Sequence, residues 1–287
     1  SLHFKPIPRG GGIIFVLISV ISSFIFISLS GINNYFMIPI ISIPLALIGF
    51  LDDLYGISPW TKYFFQVFTS ICLIYFSRLF SDLVLNSKII ILLLLVFIFI
   101  TAIINFINFM DGLDGLISGC MFISISSTCF ILNIGENYIL LLGSLLAFIT
   151  WNWHPAKIFM GDVGSTFLAS LNIGLILQSK NYFEAFGLIL IMTPCLIDPL
   201  TCVLRRLVDK QNIFRAHKLH LYQRLNIAGI KQDYIALMYI LITLILAISQ
   251  IYFGLICTLL ISTLSIMLGL YIDNKYSIPF KKISKNL

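Results

Sequence analysis

Between residues 105 and 115 the chain reads Asn105, Phe106, Ile107, Asn108, Phe109, Met110, Asp111, Gly112, Leu113, Asp114, Gly115, directly after the apolar run Ile89–Ile104. Steps of three keep Asn105, Asn108 and Asp111 on one broad face of a helix, and Gly112 and Gly115 let the backbone turn so that Asp114 points back. Two amides and two carboxylates at the end of a membrane helix make an oxygen-rich patch, which suits Mg²⁺ or Mn²⁺ better than zinc. Capping and turn formation explain one such residue; four at this spacing point to a site.

Four other stretches carry comparable chemistry. Asp52 and Asp53 close an apolar segment, and adjacent carboxylates repel until a cation or a proton transfer relieves them; the alternative is a solvated loop pair. Lys5, Arg9 and Gly10 to Gly12 supply charge and a backbone that can approach an anion, or else a hinged, positively charged anchor. Gly161 and Gly164 flank Asp162, so its carboxylate is presented at a helix N-terminus, where Asp162 and Ser165 are equally acceptable as caps. In the last stretch His217 and His220 share a face among Arg215, Lys218 and Arg224, a group able to neutralise a diphosphate and its departing charge. Asp198, the acidic residue inside an apolar run, is read as a partner of Arg205 or Arg206.

The elements that must position these residues are membrane helices. The chain has 287 residues, of which 59% are hydrophobic and 10% charged, with mean hydropathy +1.03. That is far above the ~45–50% apolar content of soluble domains. An all-α polytopic bundle is expected, one domain over residues 1–287. About ten apolar segments are long enough or nearly so: Ile13–Ser30, Tyr35–Phe50, Tyr63–Phe80, Ile89–Ile104, Leu116–Leu132, Tyr138–Thr150, Ser165–Leu177, Phe186–Leu204, Tyr234–Gln250 and Phe253–Tyr271. With ten alternating spans, every one of the 18 Lys and Arg residues except Arg78, Lys88 and Lys180 falls on one side, the cytoplasmic one by the positive-inside rule. Asp52, Asp53, Asp111, Asp114 and Asp162 lie on that same side. Carboxylates ringed by cations suit a metal-bound, phosphate-rich substrate. The six cysteines lie mostly in apolar runs without ligand-like spacing and read as packing residues, neither disulfides nor a metal site. No signal peptide is visible ahead of the first apolar run.

Taken together, Pro8-Arg9-Gly10-Gly11, Asp52-Asp53, Asn105 to Gly115, Asn152 to Ser165 and the histidine loop resemble, in order and over essentially the whole chain, the polyprenyl-phosphate N-acetylhexosamine-1-phosphate transferases of glycosyl transferase family 4. The resemblance implies a ten- or eleven-span bundle in the bacterial inner membrane with its active site on the cytoplasmic face, an eleventh, N-terminal span being absent here. It implies transfer of N-acetylhexosamine-1-phosphate from a UDP-sugar to undecaprenyl phosphate, with release of UMP. The partners are then the UDP-sugar, the lipid and the membrane, with no nucleic acid; a homodimer stays open. By position, Asp162 resembles the Mg²⁺ ligand and Asp52 the base, assisted by Asp53. Asn108, Asp111 and Asp114 resemble positions that contact nucleotide or support the metal, and Lys5, Asn152 and His220 resemble nucleotide or phosphate contacts. Arg9, Asn105, His217 and Arg224 complete the expected substrate-binding set, with His220 also counted as catalytic and Asp114 as a metal ligand. His220-Leu221-Tyr222-Gln223 departs from the common His-Leu-His-His, which favours the branch that initiates O-antigen or capsule lipopolysaccharide chains over the phospho-N-acetylmuramoyl-pentapeptide transferases. A secondary transporter is disfavoured because the polar groups gather at one face without repeats. A CDP-alcohol phosphatidyltransferase is disfavoured because Asp111 to Gly115 lacks that motif's Ala-Arg and later carboxylates.

Overall fold

The computed structural model describes residues 7–81, 86–212 and 217–284, and all regular structure among them is helical. The first half contains α1 (Ile13–Ser30), α2 (Asn34–Ile41), α3 (Ile43–Tyr55), α4 (Pro59–Tyr75), α5 (Ser87–Met110), α6 (Leu116–Leu132) and α7 (Gly135–Asn152). The second half contains α8 (Gly161–Ile176), α9 (Tyr182–Ile191), α10 (Thr193–Val208), α11 (Leu221–Ile227), α12 (Gln232–Tyr252), α13 (Gly254–Tyr276) and α14 (Phe280–Ser284).

Each of the ten apolar segments is helical, but two are broken. Tyr35–Phe50 becomes α2 and α3, which together form a 22-residue apolar unit over Asn34–Tyr55. Phe186–Leu204 becomes α9 and α10, bent by 78°. Each break is followed by a proline in the first turn of the next helix, Pro44 or Pro194, where the missing N–H and the ring interrupt the hydrogen-bond ladder. Among the described residues, five helical units are long and apolar enough to cross a membrane, six if the bent pair counts as one. The expected count of ten full spans is reached only by adding α4, α6, α7 and α8, which have 17, 17, 18 and 16 residues. The chain is a multi-pass membrane protein.

Helix α8 is the axis of the bundle: every residue from Val163 to Ile176 is buried, against α3, α5 and α6. Its interior polar groups find partners, as Asn172 Nδ2 does by donating to Ser124 Oγ at 2.8 Å. Paired polar groups of this kind are what an interior surrounded by lipid requires. The outer side of α5 instead exposes Ile90, Ile91, Leu94, Leu95 and Ile98. Where α3 meets α8, a Cβ on Gly49 would stand 2.6 Å from backbone atoms of Asp162 and Val163. Only glycine allows this approach, and it sets Asp52 and Asp53, one turn further along α3, beside the start of α8.

Candidate active site

Helices α3, α5 and α8 bring carboxylates, and α4 a lysine, to one end of α8. Asp162 lies in the first turn of α8, as its flanking glycines predict, although neither Asp162 nor Ser165 caps the helix; the cap position is Met160. The anion at that N-terminus comes from α3, because Val163 N–H donates to Asp53 Oδ2 at 3.4 Å. Asp52 is held on the other side, accepting from Ile57 N–H at 2.7 Å and from Lys62 Nζ at 2.7 Å. Lys62 Nζ reaches Asp162 Oδ2 as well, at 3.4 Å, so one ammonium bridges two carboxylates. Asn108 completes the set: its Nδ2 donates to Asp162 Oδ2 at 3.4 Å while its Oδ1 accepts from Ser165 Oγ at 2.6 Å.

Beside this cluster opens a cleft with about 1050 Å³ of empty space, whose walls include Arg9, Asp53, Asp111, Asp114, Asp162, Lys218 and Gln223. Asp111 ends α5 at the cleft wall. Burial and repulsion from Asp162, Asp53 and Asp114 push its carboxyl up to about 7. Such a cluster holds more negative charge than Lys62 and Arg9 offset, and its donors are all oxygen. Both features fit a hard divalent cation such as Mg²⁺, with Asp162, Asp53 and Asp111 as the residues in reach of the cleft.

Several residues expected at the site have other work. Lys5 lies outside the described residues. Gly11 and Gly12 do not offer their amides to an anion, because they donate to the carbonyls of Phe159 and Met160 at 3.0 Å each, zipping the entry segment onto the loop before α8. Arg9 does reach the cleft. Asn105 sits about one and a half turns before the end of α5, where its amide exchanges hydrogen bonds with Gln66 at 2.9 and 3.0 Å and donates to Thr101 O, leaving no amide N–H for substrate. Asn152 borders the cleft as a brace, accepting from Gly115 N–H and Ser118 Oγ and donating to Ile158 O. Asp114 also borders it, but its Oδ2 accepts from His154 Nδ1 at 2.8 Å and Ala156 N–H at 3.0 Å, tying the loop after α7 to the start of α6. That tie explains a buried carboxylate without a metal.

The histidine loop differs most from expectation. Neither His217 nor His220 lines the cleft; His220 is 3% exposed, and Lys218 and Gln223 face the opening instead. Burial and the neighbouring Arg206 guanidinium lower both rings to about 4, so they are neutral near pH 7 and cannot act as cations toward a diphosphate. Arg224 is buried too, donating to Leu219 O, Ser277 Oγ and Ile278 O and pairing with Asp273 at 2.6 Å. Its Nε and Nη1 donors are all directed at protein acceptors. Asp198 pairs with neither Arg205 nor Arg206: it accepts from Leu221 N–H, Tyr222 N–H and Tyr239 Oη, fastening α11 to α10 and α12. Tyr222, the departure from the histidine pattern, is fully buried against Gly112 and donates to Phe109 O at 2.9 Å, pinning α11 to the end of α5.

Lys62 is absent from the residues singled out by spacing, whereas Lys218 and Gln223 were named only as part of the histidine loop and prove to be its members that line the cleft. A lone lysine at the start of an apolar helix, ten positions after Asp52, was the available signal for Lys62.

Residues 35–180 match the sequence profile of glycosyl transferase family 4. A probable undecaprenyl-phosphate N-acetylglucosaminyl 1-phosphate transferase of Bacillus subtilis (strain 168) is 29% identical over 267 residues, covering 88% of this chain and 74% of that protein. A phospho-N-acetylmuramoyl-pentapeptide-transferase of Dictyoglomus thermophilum is 32% identical over 60% of this chain and 61% of its own length. A decaprenyl-phosphate N-acetylglucosaminephosphotransferase of Mycobacterium leprae is 27% identical over 78% of this chain and 68% of its own.

Proposed function

Since the chain belongs to glycosyl transferase family 4, the polyprenyl-phosphate N-acetylhexosamine-1-phosphate transferases, we propose that the carboxylate-lined cleft transfers N-acetylglucosamine-1-phosphate from its UDP donor to a polyprenyl phosphate, undecaprenyl phosphate in bacteria, and releases UMP. The observation that carries the reading is the convergence of Asp53, Asp111 and Asp162 opposite Arg9 and Lys218 around one opening at the end of apolar helices. A lipid phosphate travelling along the membrane surface and a soluble nucleotide sugar can meet there. The positive-inside distribution supports a cytoplasmic orientation for this end, with the protein in a bacterial inner membrane as the setting of the proposed reaction.

In this reaction an oxygen of the lipid phosphate attacks the sugar-bearing phosphorus, and the bond from that phosphorus to the UMP oxygen breaks. Arg9 and Lys218 hold the diphosphate and receive the charge that develops on UMP. Asp53, which faces the cleft, accepts the proton of a singly ionised lipid phosphate; Asp52 keeps Lys62 in place beside Asp162. The base role expected of Asp52 thus passes to its neighbour, because both Asp52 oxygens already accept hydrogen bonds. Mg²⁺ held by Asp162, with Asp53 and Asp111 beside it, would supply further charge neutralisation of the diphosphate. Asn108 and Ser165 fix the Asp162 carboxylate toward the opening.

The test is UMP release from membranes carrying the protein, given undecaprenyl phosphate, Mg²⁺ and a panel of UDP-sugars. The panel includes UDP-N-acetylglucosamine, the deoxy-N-acetylamino sugars of the O-antigen branch and the muramoyl-pentapeptide nucleotide suggested by the Dictyoglomus relative. Release that requires lipid, metal and UDP-N-acetylglucosamine, and that Asp162→Asn abolishes, is the expected result. Full turnover after chelation, or with no lipid acceptor, refutes the reading.

A further inference from the structure

On the far side of the histidine loop from the cleft, three soft or borderline donors converge. Ligand atoms of Cys202, His217 and His220 all lie within 4.8 Å of one another. Cys202 comes from α10, and the two histidines come from the turn that enters α11, so residues separated in sequence meet only in the fold. The ring centroids of His217 and His220 are 5.0 Å apart. The His220 ring is buried, and its Nδ1 has no hydrogen-bond partner, lying 3.8 Å from Asp198 Oδ1. A buried polar atom left this way is costly unless something else completes its shell.

We propose that Cys202, His217 and His220 form a second metal site, specific for a thiolate- and imidazole-preferring divalent ion of the Zn²⁺ class. The donor set is one sulfur and two nitrogens, the composition of zinc sites with three protein ligands and one position left for water. It is the opposite of the all-oxygen cluster at the cleft, so the two sites select different metals. Imidazole nitrogens and a cysteine sulfur supply the lone pairs such an ion takes. The Cys202 thiol gives its proton to solvent as the sulfur–metal bond forms.

Placement gives the site a purpose. Lys218 lies between the two histidines in sequence and turns the other way, into the cleft. A metal clamping His217 and His220 to α10 would fix the backbone on both sides of Lys218 and so hold that cation at the opening. The site stands on its own ligands and does not depend on the proposed transfer reaction.

The full chain, purified in detergent with chelator and then dialysed, is titrated with Co²⁺ alone and followed by optical absorption, with Zn²⁺ added afterwards. Expected is one Co²⁺ per chain with a thiolate-to-cobalt charge-transfer band, bleached by stoichiometric Zn²⁺. Cys202→Ser should remove the band. His217→Gln, a change in a half-buried loop residue that leaves the core untouched, should weaken Co²⁺ binding about tenfold or more, since even outer-shell changes cost that much at metal sites. No charge-transfer band in the wild-type chain, or a band undiminished in Cys202→Ser, overturns the proposal. The wild-type titration decides even if a variant does not fold.

Discussion

Arg224 offers the sharpest division between a residue that binds substrate and one that holds the fold. Its guanidinium is buried with Asp273 at 2.6 Å, and it donates to three further acceptors on the Leu219 backbone and the Ser277–Ile278 turn. Removing one partner of a buried ion pair costs about 3–5 kcal/mol. Here Arg205 still donates to Asp273 Oδ2 at 2.5 Å, so the stranded carboxylate stays neutralised and about 3 kcal/mol is expected for Arg224→Met, at the low end of that range. On the scaling of soluble chains this lowers the melting temperature by on the order of 10 °C. The assay can use the protein's own thiols: Cys120, Cys129, Cys195 and Cys202 are buried and become reactive toward a fluorogenic maleimide only on unfolding. In the folded fraction the KM for UDP-sugar should stay within a few fold of wild type. Adding Asp273→Asn should cost less in the Arg224→Met background than alone, because the partner is already gone. An unchanged melting temperature together with a tenfold or larger rise in KM would falsify the structural assignment and return Arg224 to the cleft.

Three further outcomes follow from the geometry. Gly49→Ala forces α3 away from Asp162 by crowding its backbone, and should cut UMP release at least tenfold with little change in lipid KM; near-normal kcat would show that this contact does not position the metal ligand. Asp111→Asn tests the raised carboxyl. Because the folded protein holds that proton up to about pH 7 while the unfolded chain loses it near 4, the metal-free fold loses stability as pH rises from about 4 to 7 and carries the full cost, at most ~4 kcal/mol before solvent screening, above pH 7. The variant should therefore melt higher than wild type at pH 8 in chelator and show no gain at pH 4; an equal gain at both would assign the effect to packing. Tyr222→Phe keeps the buried ring but leaves Phe109 O and Gln223 without their partner, an expected loss of about 1–2 kcal/mol in the same thiol assay, whereas no loss would mean the hydroxyl is not the pin between α11 and α5.

The apolar periodicity and composition were enough to read the fold class, because a helix in lipid must satisfy its own backbone and so leaves an uninterrupted hydrophobic run in the sequence. All ten runs are helical, and the two breaks coincide with Pro44 and Pro194, residues whose effect is local. The carboxylates were legible for the same reason. Charge at the end of an apolar run is expensive, so Asp52, Asp53, Asp111 and Asp162 stood out before any coordinates, and three of the four line the cleft.

What each polar group is paired with was not legible, because partners come from other helices. Asn105 and Arg224 looked like binding residues by type and spacing, yet Gln66 takes both amide groups of the first and Asp273 takes the second, 39 and 49 positions away in the chain. Lys62 was hidden as a single cation until α4 laid it between Asp52 and Asp162. Cys202 looked like packing until the turn before α11 set two neutral histidines against it. Sequence by itself determined which elements form and at which end charge collects, since those are set by local burial energies. Tertiary structure decided which side chains are spent on one another and which remain for substrate, since a hydrogen bond or ion pair between helices depends on their relative placement, and that placement is fixed only when the whole bundle packs.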